Sequence, residues 1–368
     1  MATTFKNFLN DDVVSTKSLL RESIPITSSL VTGTYSDLNI KNYSHGMFQS
    51  VYDYPYLSSS ANHIFDVTMG LSPGLSSSLN TDNAKKMQVY NQMAQVLAGY
   101  DASGSILRFD QDGDLVAAGV NTKHNNVFFL NFARLLVKDE IQKGTFTVTL
   151  GTGSSWSGSP NTGSLLSIGD YGAQNEYRIN SPAGEYGILY TSSVNINSGS
   201  GVGLLYYQAG VAVVTASVFN QSVLDPTKIG TDSVVQAFTG SSIQTVSSAI
   251  RRRWNNCSFN NTTELNSTIY FCRINNNEFN YSSNPTYVSA SRLRVKNVAT
   301  DNPVSYISTV GLYSSDNELL AVAKLSEPLK KTPENEMILR VRLDYWFISF
   351  IANKQRNCLF ILGSFLLW

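Results

Sequence analysis

The sequence predicts an α+β, β-rich fold of mostly antiparallel strands with two or three helices packed on them. Three observations predict it. The apolar runs 187–194 and 202–219 are dominated by Val, Ile, Leu and Tyr and flank a linker of Asn, Ser and Gly, the composition of strands buried on at least one face. Between 267 and 345, short strand-like segments recur with turns such as SSDN and SEPLKKTP between them, the rhythm of an antiparallel domain. Helical periodicity is confined to a few windows.

Taken in order, residues 1–100 read as an N-terminal arm, an aromatic-rich segment and a helix. The arm carries Phe5, Phe8, Leu9, Val13, Val14, Leu19 and Leu20, broken by Pro25 and Gly33. It reads either as an arm that docks on a neighbouring subunit or as an edge strand plus short helix on its own domain. Residues 42–70 concentrate Tyr43, Phe48, Tyr52, Tyr54, Tyr56 and Phe65, residues that serve interfaces and cores alike. In 82–98, Met87, Tyr90, Ala94 and Leu97 recur at three and four, with Thr81 or Asp82 to cap and Gly99 to stop a helix.

Residues 101–345 read as the β-rich main domain, with a sub-boundary near 225–265. Residues 104–119 look like paired strands about the turn QDGD. Residues 125–143 make a second helix candidate, with Phe128, Phe132, Leu135 and Leu136 on one face. A strand at 145–150 and a flexible loop at 151–164 follow. Beyond the central strands, 233–250 predicts a helix or helix pair, with Gly240 as the break. The segments 267–274, 286–295, 305–313, 318–325 and 337–345 are the expected strands. Residues 346–368 form an atypical hydrophobic tail, with two apolar runs around NKQRN. It reads as an add-on translated past the usual stop, with membrane association as the alternative.

Composition narrows the function. Hydrophobic residues make up 42% of the 368, so the chain has the material for a core, yet charged residues make up only 15%, against roughly 25% in ordinary soluble proteins. Short uncharged polar groups suit close packing of chain on chain. Lys plus Arg equals Asp plus Glu at 27 each. Nucleic-acid binders carry a basic excess, so no nucleic-acid partner is expected, and neutrality favours association. The N-terminus lacks a secretory pattern. Residues 1–345 hold no run of about 18 apolar residues, so no membrane span is expected there. Three cysteines, Cys257, Cys272 and Cys358, make neither a disulfide framework nor a zinc set. Cys257 and Cys272 read as reduced thiols, with a cross-strand pair as the alternative.

The motifs converge on no reaction. Asp110, Asp112 and Asp114 suggest calcium, but an EF-hand needs Gly at the sixth position and Glu at the twelfth, where this chain has Leu115 and Asn121. A polar turn is the reading, a non-EF-hand cation site the alternative. Gly151-Thr-Gly153 lacks the rest of a phosphate loop. His45, His63 and His124 are not at metal-ligand spacing, and no nucleophile elbow is present. Arg251-Arg252-Arg253-Trp254 reads as a helix end whose arginines complement the dipole, or as a subunit salt bridge; contact with phosphate and a stacked base is the competing reading. The sequons at Asn256, Asn260, Asn261 and Asn266 matter only in a secretory pathway. No catalytic, cofactor-binding or metal-ligating residue is assigned, and no cofactor is expected.

Three stretches carry a resemblance: FLNFARLLVKDEIQKGTFTVTLGTG at 129–153, the central strands at 184–219, and the end from YFCRINNNEFNYSSNPTYV to LRVRLDY within 270–345. Together with SHGMFQSVYDYPYLSSSANHIFDVTMG near the start, they resemble virion structural proteins of contractile-tailed bacteriophages, especially marine and cyanobacterial ones. The likeness spans most of 1–345 and leaves out 346–368. It implies a tail, baseplate or neck component, assembled in the bacterial cytoplasm, that works through contacts with other virion proteins and copies of itself, without catalysis. A receptor- or glycan-binding virion protein, using aromatic loops at 43–56 and 151–164, is the alternative. A virion-borne hydrolase is the third reading and requires two carboxylates, or a nucleophile and base, in a deep pocket.

Overall fold

A computed structural model describes residues 5–26, 37–73, 81–116, 123–153, 164–193, 196, 200–219, 233–280, 288–289, 292–293, 303–346 and 359–363. Strand accounts for 48% and helix for 20%, in antiparallel sheets with five helices among the described residues, as the α+β, β-rich reading expects. The chain forms two compact units, 21–263 and 1–20 with 264–368.

In the larger unit the centre is an eight-stranded antiparallel sheet. Its order is Arg178–Ser181, Gly184–Leu189, Gly203–Tyr206, Val211–Thr215, Asn126–Phe132, His63–Leu71, Gln49–Tyr52 and Ile40–Asn42. Every residue of Gly203–Tyr206 and Val211–Thr215 is buried, so these strands read as continuous apolar runs rather than alternating ones. The run 202–219 is therefore a hairpin and a 3-10 turn, not one strand. Gly210, at φ +67°, makes the reversal, a backbone state open to glycine at little cost.

The helix Thr81–Leu97 packs on the strand His63–Leu71. Its inward face is Asn83, Lys86, Val89, Tyr90, Ala94 and Leu97, the spacing of a helical stripe. Met87, expected on that face, is only half-buried. The polar members are satisfied: Lys86 Nζ donates to Asn83 Oδ1 at 3.2 Å and to the Phe238 carbonyl at 2.7 Å. The expected helix pair is present as Val234–Gly240 and Ile243–Arg252. Ser233 caps the first with Gln236 completing a capping box, and Ser242 caps the second.

Two expectations fail in this unit. The helix at 125–143 is instead the strand Asn126–Phe132 followed by the single turn Arg134–Val137. Phe128, Phe129, Leu130 and Phe132 fill both faces of a central strand; an apolar run of that kind carries no period to separate strand from helix. Residues 104–119 hold no paired strands among those described, only isolated bridges from Tyr100 to Ile106 and from Asp110 to Lys123.

The strand Trp254–Ile274 is 21 residues long and crosses the unit boundary at Thr263. Its first part pairs with Thr147–Gly151, which pairs with Leu165–Gly169. Aromatic contacts tie these strands to the main sheet: Trp254 stacks on Phe65 with centroids 4.8 Å apart, and Phe259 meets Phe132 edge-on at 5.2 Å.

In the smaller unit the rest of that strand pairs with Met337–Trp346, in register from Leu265 with Trp346 to Ile274 with Met337. A four-stranded sheet follows the order Phe5–Asn7, Leu359–Gly363, Ser305–Tyr313, Leu319–Lys331. Tyr270, Cys272, Val310 and Leu312 form its apolar centre. Two features differ from the sequence division at 100 and 345. The tail is no appendage, since Leu359–Gly363 is an inner strand bonded on both sides. The leader joins the C-terminal segment because Phe5–Asn7 pairs with it. Both are long-range pairings that local composition does not encode.

Candidate functional site

The acid loop is the densest cluster of potential ligands among the described residues. Asp110, Asp112 and Asp114 bring carboxylate oxygens within 4.8 Å of one another. Asp110 is fully buried and Asp114 exposed. One side of Asp110 is taken by a cation from the chain itself. Lys123 Nζ donates to Asp110 Oδ2 at 2.9 Å and to the Val116 carbonyl at 2.5 Å, and the Leu115 amide donates to the same carboxylate oxygen at 2.8 Å. Burial pushes the Asp110 carboxyl up to about 6, with Lys123 pulling the other way and Asp112 adding to the rise. Gly113 and Leu115 both sit at positive φ, +67° and +54°. The polar turn of the sequence reading is thus a loop tied down by an internal ion pair.

The histidines are structural in their contacts. His63 Nε2 lies 2.8 Å from Asp66 Oδ1, which also accepts from Ser50 Oγ at 2.5 Å. Here the carboxylate stands between hydroxyl and imidazole, whereas nucleophile activation needs the imidazole in the middle. His124 is buried, and burial lowers its pKa to about 4. His45 stacks on Tyr43 with centroids 5.3 Å apart.

Cys257 and Cys272 are free and buried. They lie far apart along the one strand Trp254–Ile274, so no bond joins them within a chain. Cys358 lies outside the described residues, as do residues 154–163 of the 151–164 loop; the expected strand 286–295 is instead, in its described part, a tight hairpin of Val288–Ser289 on Arg292–Leu293.

The basic cluster is spent inside the protein. Arg251 and Arg253 are 1% and 0% exposed, and Trp254 is buried with them. Arg251 and Arg252 pair with Asp37. Arg253 Nη1 donates to the carbonyls of Gly151 at 3.0 Å and Gly153 at 2.8 Å. This is the helix-end arrangement extended into a strap on the loop after Thr147–Gly151.

Sequence reasoning missed Asp170 and Tyr207. The buried Asp170 carboxylate accepts from the amides of Gly144 at 2.7 Å and Phe146 at 3.0 Å and from Tyr207 Oη at 3.1 Å. Burial nevertheless pushes it up to about 6. Gly-Asp-Tyr in an otherwise apolar stretch is the one signal for it. Lys86 was also missed; burial lowers it to about 8.

The smaller unit exposes Leu9, Leu265, Leu329 and Ile338, and further apolar residues on two long strands. Val14, Leu19 and Leu20 project from Val13–Ile26 at 42%, 57% and 48% exposure, and Leu319 and Val322 from Leu319–Lys331 at 52% and 59%. Leu319–Lys331 ends its sheet, yet that edge is blunted. Its register jumps between the Leu329 and Lys324 pairings, placing Pro328 in a bulge, and Lys324 and Lys330 line the strand. Proline, lysine and bulges guard edges against strand addition. What this strand leaves open is its side chains rather than a pairing edge. No helix among the described residues is long and apolar enough to cross a membrane. Comparison with protein-family models, curated proteins and solved structures finds no match to this chain.

Proposed function

We propose that the chain is a structural subunit of a virion, of the contractile-tailed phage type that its sequence resembles, acting in the tail, baseplate or neck through contacts with other virion proteins and with copies of itself. The observation that carries this reading is the exposure of large apolar side chains in the smaller unit, Val14, Leu19 and Leu20 on the part of Val13–Ile26 that belongs to it and Leu319 and Val322 on Leu319–Lys331. Single apolar residues on a surface are ordinary, but several large ones exposed on two strands of one unit offer area that association can cover. Low charge and zero net charge support the same reading.

The test is the solution mass of the purified chain by light scattering, with particle imaging and mass spectrometry of purified virions alongside. Assembly beyond the monomer, reduced by L319E and V322E without loss of the circular dichroism spectrum, supports the proposal. A chain that stays monomeric at high concentration and is missing from the particles overturns it.

A further inference from the structure

We infer that the larger unit carries a shallow saccharide-binding groove where the turn between Ile40–Asn42 and Gln49–Tyr52 meets the first turns of the helices Thr81–Leu97 and Ile243–Arg252. The groove encloses about 480 Å³ and is open to solvent, within the roughly 300–1,000 Å³ of small-molecule sites. All its walls belong to one compact unit.

The chemistry of the walls selects the ligand. Asn42, Tyr43 and Ser44 line one side, Asp82 and Lys85 a second, and Gln244 a third. Carboxylate, ammonium, amides and a hydroxyl together offer both donors and acceptors, while Asp82 and Lys85 cancel in formal charge. A phosphate or carboxylate meets opposition from Asp82. An apolar segment meets a polar lining. A neutral polyol matches it, because each sugar hydroxyl both gives and accepts a hydrogen bond.

The walls are held in place before any ligand arrives. Gln244 Nε2 donates to the Tyr43 carbonyl at 2.9 Å, which leaves its amide oxygen as acceptor. Gln49 Nε2 donates to Asn42 Oδ1 at 2.7 Å, which leaves the Asn42 amide nitrogen as donor. Lys85 Nζ reaches the His45 carbonyl at 3.3 Å. The Tyr43 ring is fixed by stacking on His45, by Phe48 at 4.7 Å and by Lys41 Nζ at 5.0 Å from its centroid, which holds the backbone of this wall in place. Gly46 takes φ +68° at the turn, and a Cβ there points toward Gln244, 3.9 Å from its Nε2. Ordering losses on binding are small at a site of this kind. Sugar binding here does not depend on whether copies assemble.

The experiment is saturation-transfer NMR and calorimetry on the full chain with a panel of neutral mono- and disaccharides, with inorganic phosphate and glycine as anionic and zwitterionic probes. The expected result is binding of at least one neutral sugar, weakened about tenfold or more in D82A and in N42A, each of which stays folded at the assay temperature although it loses a hydrogen bond or a helix-start charge and melts lower. S44A, which removes one hydroxyl and no buried contact, gives a smaller loss and guards against a folding artefact in the other two. Absence of transfer to every sugar, binding of phosphate or glycine in their place, or sugar binding unchanged in all three variants overturns the inference.

Discussion

Lys123 Nζ stands 2.9 Å from Asp110 Oδ2, with both side chains almost wholly buried. The pair closes a loop whose spacing imitates a calcium ligand set, and it does so with a cation carried by the chain. A buried pair adds little over an apolar substitute, but removing one partner leaves the other charge stranded. K123M is expected to cost about 3–5 kcal/mol in urea unfolding at neutral pH. The cost shrinks towards pH 5, because Asp110, already raised to about 6, then escapes by protonation. D110N/K123M together are expected to cost less than K123M alone. Millimolar calcium leaves the wild-type melting temperature unchanged; a clear rise would show that the ammonium does not hold the loop.

Asp170 gives a pH signature. Its folded-state pKa of about 6 lies above the ordinary 3.8, so the folded state binds the proton more tightly than the unfolded one. Its contribution to stability is full below pH 3.8 and is lost as pH rises through 6, a change of about 3 kcal/mol in scale. His124 runs the other way, since its pKa is lowered to about 4, and protonation of the unfolded chain costs stability below pH 6.5. The informative quantity is the difference in unfolding free energy between wild type and D170N from pH 4 to 7. It is expected to slope. A flat difference would mean that Asp170 titrates normally.

The two buried cysteines are expected to be inert in the native protein. Burial pushes the Cys272 thiol up to about 12 and Cys257 higher still, and the thiolate is the reactive form. Peptide mapping after a short alkylation should find both unmodified in the native chain and both modified in denaturant. Fast native labelling of Cys257 would contradict its burial.

G203A tests the centre of the sheet. A Cβ on Gly203 would collide with the Val213 carbonyl and come within 3.1 Å of Val214 Cα, both on the paired strand. Backbone on each side cannot yield without breaking the ladder. A loss of at least about 3 kcal/mol is expected, seen as a large fall in melting temperature or as insoluble expression. G104A, where a Cβ meets nothing within 4 Å, serves as comparison; φ +81° there makes its cost conformational only, about 1 kcal/mol.

Legibility in the sequence followed the side-chain period. Thr81–Leu97 and Met337–Trp346 emerge almost as their spacing suggests, because each turns one face inward and leaves the other outside, while Ser305–Tyr313 is legible from its β-branched and aromatic composition. Asn126–Phe132 was misread as helix because both of its faces are buried. The first half of Trp254–Ile274 went unread because polar residues share its inward positions with Trp254, Cys257 and Phe259. Asn261 is fully buried there and donates Nδ2 to the Leu136 carbonyl at 2.8 Å, and hydropathy does not register an asparagine that a distant backbone satisfies. The groove walls come from residues 42–46, 82–85 and 242–244, and none of those segments is distinctive alone.

The amino-acid order by itself determined that this is a weakly charged, strand-dominated protein with a helix at 81–97 and a helix pair after 233, since those properties depend on composition and on neighbours a few residues apart. Only the tertiary structure decided that the tail strand lies inside a sheet, that Lys123 answers Asp110, that Arg251 and Arg253 are turned inward, and that three remote turns share one groove. Each of these joins groups distant in the chain, and such encounters depend on how whole strands pair, which no local window records.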